Sequence, residues 1–537
     1  MFEIRKNKIL RRQLNNMRIK SKPIQKSTSI ADYLCEFSSI TTLHGIVYLG
    51  EPKRPFFERI LWFSIMSLVL YFCGAEIIVL FNNWKSNNMV LTLEDLKYNV
   101  WDIPFPAITF CSDIQLQNLD YKLIMDEVSK SEFKDSMNTI CNDYYSVNKN
   151  ISLKSIKPKH WKKILQKFAV TCDQRIITMY WLGDEIQSSC QYFQPIFTQY
   201  GLCYSLNMIP FQLLFHSKYY ETLSFPNHTL ADIITKKKET SWSPDKGFSK
   251  NAIPFDTPWR VTGDTNNDAV RLVFNLRNIE GDNYCPHTMS GVMLILHKPS
   301  DTPIGYQPSA YFINDRLLSV SLTVYYKPTS QAVSKWSPET RNCYFENERS
   351  LKYFKIYTAH NCEIECRANA TLRRCGCAAF YQPRDPEVPI CGSQNYRCYK
   401  SSFNSDFSIF QEDLRVPNSS DKDCGCLPDC SSYSYDYNVV KLFRNWSTSF
   451  TNVDHFPKVA VANLYYKRKS ISVTQRNALL PFNELLGNIG GLLGLFLGCS
   501  LISFFEIIYF FLIRLYFDKR KLKKDIESIN VSHVSLK

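Results

Sequence analysis

Residues 485–513 read LLGNIGGLLGLFLGCSLISFFEIIYFFLI. These 29 residues contain one charge, Glu506. About 20 apolar residues cross the ~30 Å hydrocarbon layer of a bilayer, so the stretch can span with length to spare. Gly490, Gly494 and Gly498 stand four apart, with Gly487 and Gly491 beside them, a spacing that lets helix backbones approach closely. Simple helix–helix packing would use such a ladder, and so would a pore wall where helices crowd an axis. The triplet Gly498-Cys499-Ser500 favours the pore. Glycine permits a break in a helix, and broken backbone persists inside a membrane only where protein buries it or where it lines a water-filled path. Carbonyls exposed there can replace an ion's hydration shell. The excess length fits a segment that crosses in two offset pieces. Glu506 is costly in a membrane unless it faces a pore, where it attracts cations, or is held by a hydroxyl or cation on a neighbouring helix.

One other stretch is comparably apolar. Residues 60–81, ILWFSIMSLVLYFCGAEIIVLF, are 22 long with Glu76 as the single charge. The competing reading, a buried helix of a soluble protein, fits these lengths poorly. The stretch begins too far in and is too long for a cleaved leader. Residues 1–55 carry a net +7 and residues 514–537 a net +4, which together account for most of the +14 of the whole chain. Cationic flanks face the cytosol, so both termini are predicted inside and the roughly 400 residues between the spans outside. The basic excess is therefore a topology signal and not a nucleic-acid footprint. Of 19 cysteines, Cys35, Cys73 and Cys499 lie in the tail and spans and the other 16 between the spans. That is an even number in a compartment where disulfides form. Sequons begin at Asn150, Asn227, Asn369, Asn418 and Asn445 between the spans, marking candidate glycosylation sites, and one more, at Asn530 in the C-terminal tail, is read as a chance match. The predicted organisation is a cytosolic region 1–59, a span 60–81, an extracellular domain 82–484, a span 485–513 and a cytosolic tail 514–537, in a plasma-membrane protein.

Within the extracellular segment, IPFPAITFC at 103–111 reads as a rigid entry into a strand ending at Cys111. Residues 112–190 read as largely helical. Between 267 and 330, AVRLVFNL, SGVMLILHK and LLSVSLTVYYK alternate as strands do. LFRNWSTSFTNV and FPKVAVANLYYKRK read as strands returning to the membrane. Residues 343–430 hold ten cysteines among loop-forming residues. Cys375-Gly-Cys377 and Cys424-Gly-Cys426 are too close for the usual zinc pairs, and an extracellular disulfide ladder is the better reading. No metal or cofactor is expected. H-E-x-x-H, G-x-x-x-x-G-K-[ST] and G-x-S-x-G are absent, so no sequence signature argues for an enzyme.

Six segments, in order, resemble the degenerin/epithelial sodium channel family and its arthropod pickpocket branch. They are TTLHGIVYL before the first span, IPFPAITFC, FTQYGLCYSLN at 197–207, RNCYFENERSLKYFKIYTAHNCEIEC at 341–366, CGCLPDC at 424–430 and LLGNIGGLLGLFLGCSLISFFE at 485–506. The resemblance covers roughly residues 31–516. It implies an α+β membrane protein with two transmembrane helices and a large disulfide-rich extracellular domain. That domain would have a central β-sheet palm with peripheral helical finger and thumb regions, 343–430 being the thumb. It further implies a homo- or heterotrimer with related subunits in the lipid bilayer, around one pore that passes sodium ions and is blocked by amiloride. Gly498, Cys499 and Ser500 carry over as the selectivity filter, with Cys where a smaller residue is usual. His44 and Gly45 carry over to gating, as does Gly487, where bulky side chains hold related channels open. Asn488 stands where proton-gated members have Asp, which removes a charge at the pore mouth. The pairings implied are Cys343–Cys430, Cys362–Cys426, Cys366–Cys424, Cys375–Cys398, Cys377–Cys391, Cys111–Cys203 and Cys172–Cys190, with the pairing of Cys141 and Cys285 left open. Two alternatives stand beside a conducting subunit. One is an auxiliary or sensory receptor-like subunit that conducts only with sister subunits. The other is an ATP-gated two-span channel, which the cysteine order and the Gly-Cys-Ser triplet fit badly.

Overall fold

A computed structural model describes residues 30–51, 54–86, 89–94, 98–112, 128–140, 154–216, 219, 241–252, 256–261, 269–276, 291–312, 316–403, 424–443, 459–517 and 520. The chain divides into two units, one formed by the residues up to 88 with those from 478 onward, the other by residues 89–477.

In the first unit, α1 (Ile30–Ile40) and α2 (Ile46–Gly50) precede α3 (Phe56–Ser86). Helix α3 is long and apolar enough to cross a membrane, and only 6% of its most apolar window is buried within the chain. Phe56, Phe63, Leu68, Phe72 and Ile78 all lie exposed. A core helix of a soluble protein would bury these side chains, whereas a bilayer solvates them.

The second unit is built on two sheets. The eight-stranded sheet runs β1 (Met89–Glu94), β17 (Ser472–Ala478), β13 (Arg316–Lys327), β16 (Val459–Tyr466), β10 (Val270–Asn275), β4 (Ile176–Trp181) and β5 (Asp184–Ile186), with β15 (Ser432–Phe443) also paired to β13. The 12 residues of β13 pair antiparallel with those of β15, from Arg316 opposite Phe443 to Lys327 opposite Ser432. Along β13, Leu318, Val320, Leu322 and Val324 are buried while the residues between them are more open, the period of two that places one face on a core. The five-stranded sheet runs β12 (Ala310–Phe312), β11 (Val292–His297), β2 (Ala107–Ser112), β7 (Gly201–Leu206) and β6 (Phe193–Thr198). Strands β2, β6 and β7 are buried along their whole length, as befits a sheet covered on both faces. Phe110 packs edge-on to Phe193 and Phe274 in the common core. Minor pairs are β3 (Ser155–Ile156) with β14 (Ile390–Cys391) and β8 (Trp242–Ser243) with β9 (Gly247–Phe248).

Two expectations need correction. Residues 112–190 contain helices α4 (Lys130–Ile140) and α5 (Pro158–Phe168), but Ile176–Ile186 is a hairpin. Its first strand, IITMYW, finds its partner β10 about ninety residues further along, so its β-branched and aromatic composition mattered more than the helical pattern before it. The cysteine-dense block is also more regular than loops. It holds the 17-residue α6 (Ala359–Cys375) and α7 (Tyr396–Phe403). Thr358 caps α6 by accepting the Asn361 N–H at 3.0 Å, and Gly376 closes it in the left-handed conformation.

The seven cysteine pairs implied by the resemblance are all joined among the described residues. Cys35, Cys73 and Cys499 are free thiols. Cys141, Cys285, Asn150, Asn227, Asn418 and Asn445 lie outside the described residues. Asn369 is half-buried on α6. Cys111 and Cys203 sit directly opposite each other on β2 and β7. The asparagine ending the FTQYGLCYSLN segment ties that motif to another: Asn207 donates to the Phe105 carbonyl at 2.7 Å and accepts the Trp259 N–H. In CGCLPDC, Asp429 accepts from Lys298 at 2.8 Å and from the Ala359 N–H at 2.7 Å. It thereby pins the start of α6 to the end of β11. Burial pulls the Lys298 pKa down, but the neighbouring Asp301 and Asp429 carboxylates outweigh it and raise it above the ordinary lysine value.

Candidate functional site: the broken apolar helix

The 485–513 stretch is not one helix. Helix α8 (Phe482–Leu497) and helix α9 (Leu501–Ile508) meet at 75°, and a π-helical turn follows at Tyr509–Arg514. By length and composition the two together qualify as one broken span. The break falls on Gly498-Cys499-Ser500. Gly498 has φ 62° and ψ 21°, the left-handed region that glycine enters without penalty. Its N–H donates to the Gly494 carbonyl at 2.9 Å, and the Cys499 N–H donates to Leu493 at 3.2 Å. Ser500 turns the chain back into helix: its hydroxyl accepts the Ser503 N–H at 3.2 Å, and the Ser503 hydroxyl accepts the Ser500 N–H at 3.1 Å. That reciprocal capping box explains why a serine stands at this corner. Cys499, between the two caps, is partly exposed.

The His-Gly motif lies against this break. The His44 N–H donates to the Leu497 carbonyl at 3.0 Å, one of the acceptors that a helix C-terminus leaves without an intrahelical donor. A Cβ built on Gly498 would come within 2.6 Å of His44 Cγ and Cε1, so the imidazole occupies the space that the missing side chain leaves. Gly45 has φ 86°, and a Cβ there would run into the Met66 thioether of α3. The two glycines are needed for different reasons: Gly498 admits a ring, and Gly45 admits α3.

Glu506 is held by Thr42. The Thr42 hydroxyl lies 3.0 Å and its N–H 3.3 Å from Glu506 Oε2, and the same hydroxyl is 2.8 Å from Ser503 Oγ. Of the two roles open to an intramembrane carboxylate, this contact is the hydroxyl-partner role. Further along, Glu36 of α1 pairs with Arg514 at 2.5 Å, and Phe37 packs on the rings of Phe510 and Phe511. The N-terminal segment thus grips the second helix at three levels. Thr42, Ser503, Glu36 and Arg514 were missed from sequence. The signal was there in part, since a carboxylate in an apolar span requires a donor and the hydroxyls of Thr41 and Thr42 immediately precede the motif.

Gly487 and Asn488 sit on the exposed face of α8. Nothing in the chain comes within 4 Å of a Cβ built on Gly487, Gly490 or Gly491. Gly487, Gly490 and Gly491 therefore serve no close packing among the described residues of this chain. Those residues also contain no cluster of three or more histidine, cysteine or acidic side chains suited to a metal.

The model of the amiloride-sensitive sodium channel family matches residues 37–510. Pickpocket protein 28 of Drosophila melanogaster is 25% identical over 503 residues, covering 90% of this chain and 79% of the relative. Sodium channel protein Nach of the same fly is 21% identical over 518 residues, covering 90% and 89%. Acid-sensing ion channel 4-B of Danio rerio is 19% identical over 498 residues, covering 88% and 75%. The matched region takes in the His-Gly loop, both sheets, the disulfide block and the break at Gly498. The chain belongs to the amiloride-sensitive sodium channel family, in its pickpocket branch, and is an ion-channel chain and not an enzyme.

Proposed function

We propose that this chain is a conducting subunit of a trimeric, amiloride-sensitive sodium channel of the plasma membrane, with both termini in the cytosol. Sodium passes passively along α8, α9 and the Gly498-Cys499-Ser500 belt between them. The observation that carries this reading is the helix break itself, placed inside an apolar span and closed by the His44 N–H. An anchor has no use for such a break, because interrupting a lipid-facing helix strands backbone polar groups. The open glycine face of α8 supports assembly, since close helix approach is what such a face is suited to. On this reading His44, Gly45, Gly487, Asn488 and Glu506 set gating, and 343–430 is a stiff thumb on the extracellular domain.

The test is sodium current in oocytes with surface labelling. Gly498→Arg or Ser500→Trp should abolish current while the channel still reaches the surface, and unchanged current in either variant refutes the pore assignment. Gly487→Val should hold the channel open, and a silent but surface-expressed G487V favours the auxiliary-subunit reading.

A further inference from the structure

We propose that the second unit binds a small anion with two coordinating oxygens, such as a carboxylate, bicarbonate or phosphate, on the guanidinium of Arg384. Arg384 is 7% exposed. Its Nη1 donates to the carbonyls of Phe380 at 3.1 Å and Gln382 at 3.4 Å, while its buried Nε meets no acceptor. No carboxylate among the described residues lies within ion-pair distance of it; the adjacent Asp385 is engaged with Lys352 at 2.6 Å. A guanidinium stays charged in protein, and buried charges are normally paired.

The unused edge has a defined chemistry. With Nη1 spent on two carbonyls, the remaining edge presents Nε–H and Nη2–H side by side. That is the fork which matches two oxygens of one carboxylate or phosphate, and a single carbonyl or chloride fits it less well. The surroundings have the same character. Lys162 of α5 stands close enough for burial first, and repulsion from Arg384 second, to lower its pKa. Tyr219 and Tyr353 are near enough to act electrostatically on Arg384, and both side chains are buried. Trp161 of α5 packs on Phe380 with the ring centroids 4.9 Å apart and the planes tilted by 38°, which brings the lysine-bearing helix up to the arginine loop. Arg384 thus has a second cation near it and no described carboxylate within ion-pair distance.

The test uses the full-length channel in detergent, with thermal unfolding followed at constant ionic strength and pH. Formate, bicarbonate and phosphate arms are compared with chloride and gluconate. Ligand binding to the folded state raises Tm with ligand concentration. The expected result is a saturable rise of a few degrees with at least one of formate, bicarbonate or phosphate and none with chloride or gluconate. Arg384→Lys keeps the charge but lacks the fork and should lose most of the rise. Arg384→Met should lose all of it. If either variant fails to fold, density of the wild-type protein prepared in phosphate decides, with an added feature expected bridging Arg384 Nε and Nη2. Equal Tm in every anion, or an anion effect that survives in R384M, overturns the proposal. So does wild-type density showing the fork already occupied by a side chain of the protein.

Discussion

A methyl group at Gly498 is the most direct probe of the lock between the His-Gly loop and the helix break. Gly498→Ala has two separate consequences. An L-residue held at φ 62° costs roughly 1–2 kcal/mol against glycine. The new Cβ also overlaps the His44 ring, at 2.6 Å from two of its carbons, and forcing an extra carbon into a packed contact costs about 1–3 kcal/mol. Together G498A should destabilise the observed break by about 2–5 kcal/mol per subunit. His44→Ala separates the two parts, because it removes the ring but keeps the backbone N–H that caps Leu497. The double variant should recover the steric part and leave the backbone part. The assay is amiloride-blocked sodium current per surface channel in oocytes, on a G487V background that holds the channel open. G498A alone should depress current strongly, and adding H44A should restore at least about fivefold, since 1.4 kcal/mol is a factor of ten. The double-mutant coupling is the decisive quantity. If H44A changes current by the same factor with and without G498A, the ring does not fill the space at Gly498 and the lock is wrong. Wild-type current from G498A alone would falsify the requirement for the left-handed corner.

Three further outcomes are expected. Thr42→Val removes a hydroxyl that donates to the Glu506 carboxylate, worth about 1.5–3 kcal/mol for a charged acceptor; thermal stability should fall by several degrees in wild type and much less in an E506Q background. Removing Cys343–Cys430, which closes a sequence separation of 87, should cost about 4.6 kcal/mol, against about 3 kcal/mol for Cys377–Cys391 at a separation of 14; paired Cys→Ser variants compared by thermal unfolding should rank in that order. Burial holds the His297 pKa down at about 4, and its Nδ1 lies 2.9 Å from the Lys298 carbonyl, so the neutral ring donates there. Because the unfolded chain binds that proton first, stability falls as pH drops below about 6.5 and goes on falling until about 4, with roughly 2 kcal/mol gone by pH 5. Tm measured between pH 7 and 5 should decline more steeply in wild type than in H297Q.

What the sequence determined by itself was whatever rests on composition and short-range pattern. Apolar length fixed where a bilayer could be crossed, because transfer into hydrocarbon depends on the residues alone. Gly498 marked the break at 498–500, because glycine acts on its own backbone; the capping role of Ser500 came from the structure. Alternation marked β10, β11 and β13, but not that β11 joins a different sheet from the other two. The hairpin at 176–186 and helix α6 escape a sequence reading for different reasons: the strand's partner is distant, and the cap signals of Thr358 and Gly376 are hidden among cysteines. The disulfide pairs came from resemblance, since spacing alone admits many pairings. Tertiary structure alone decided what Glu506 and His44 do. A carboxylate within a span can face water or meet a donor, and nothing local chooses between them. Folding chose when it carried Thr42 and His44 across more than four hundred residues of sequence to the corner at Gly498.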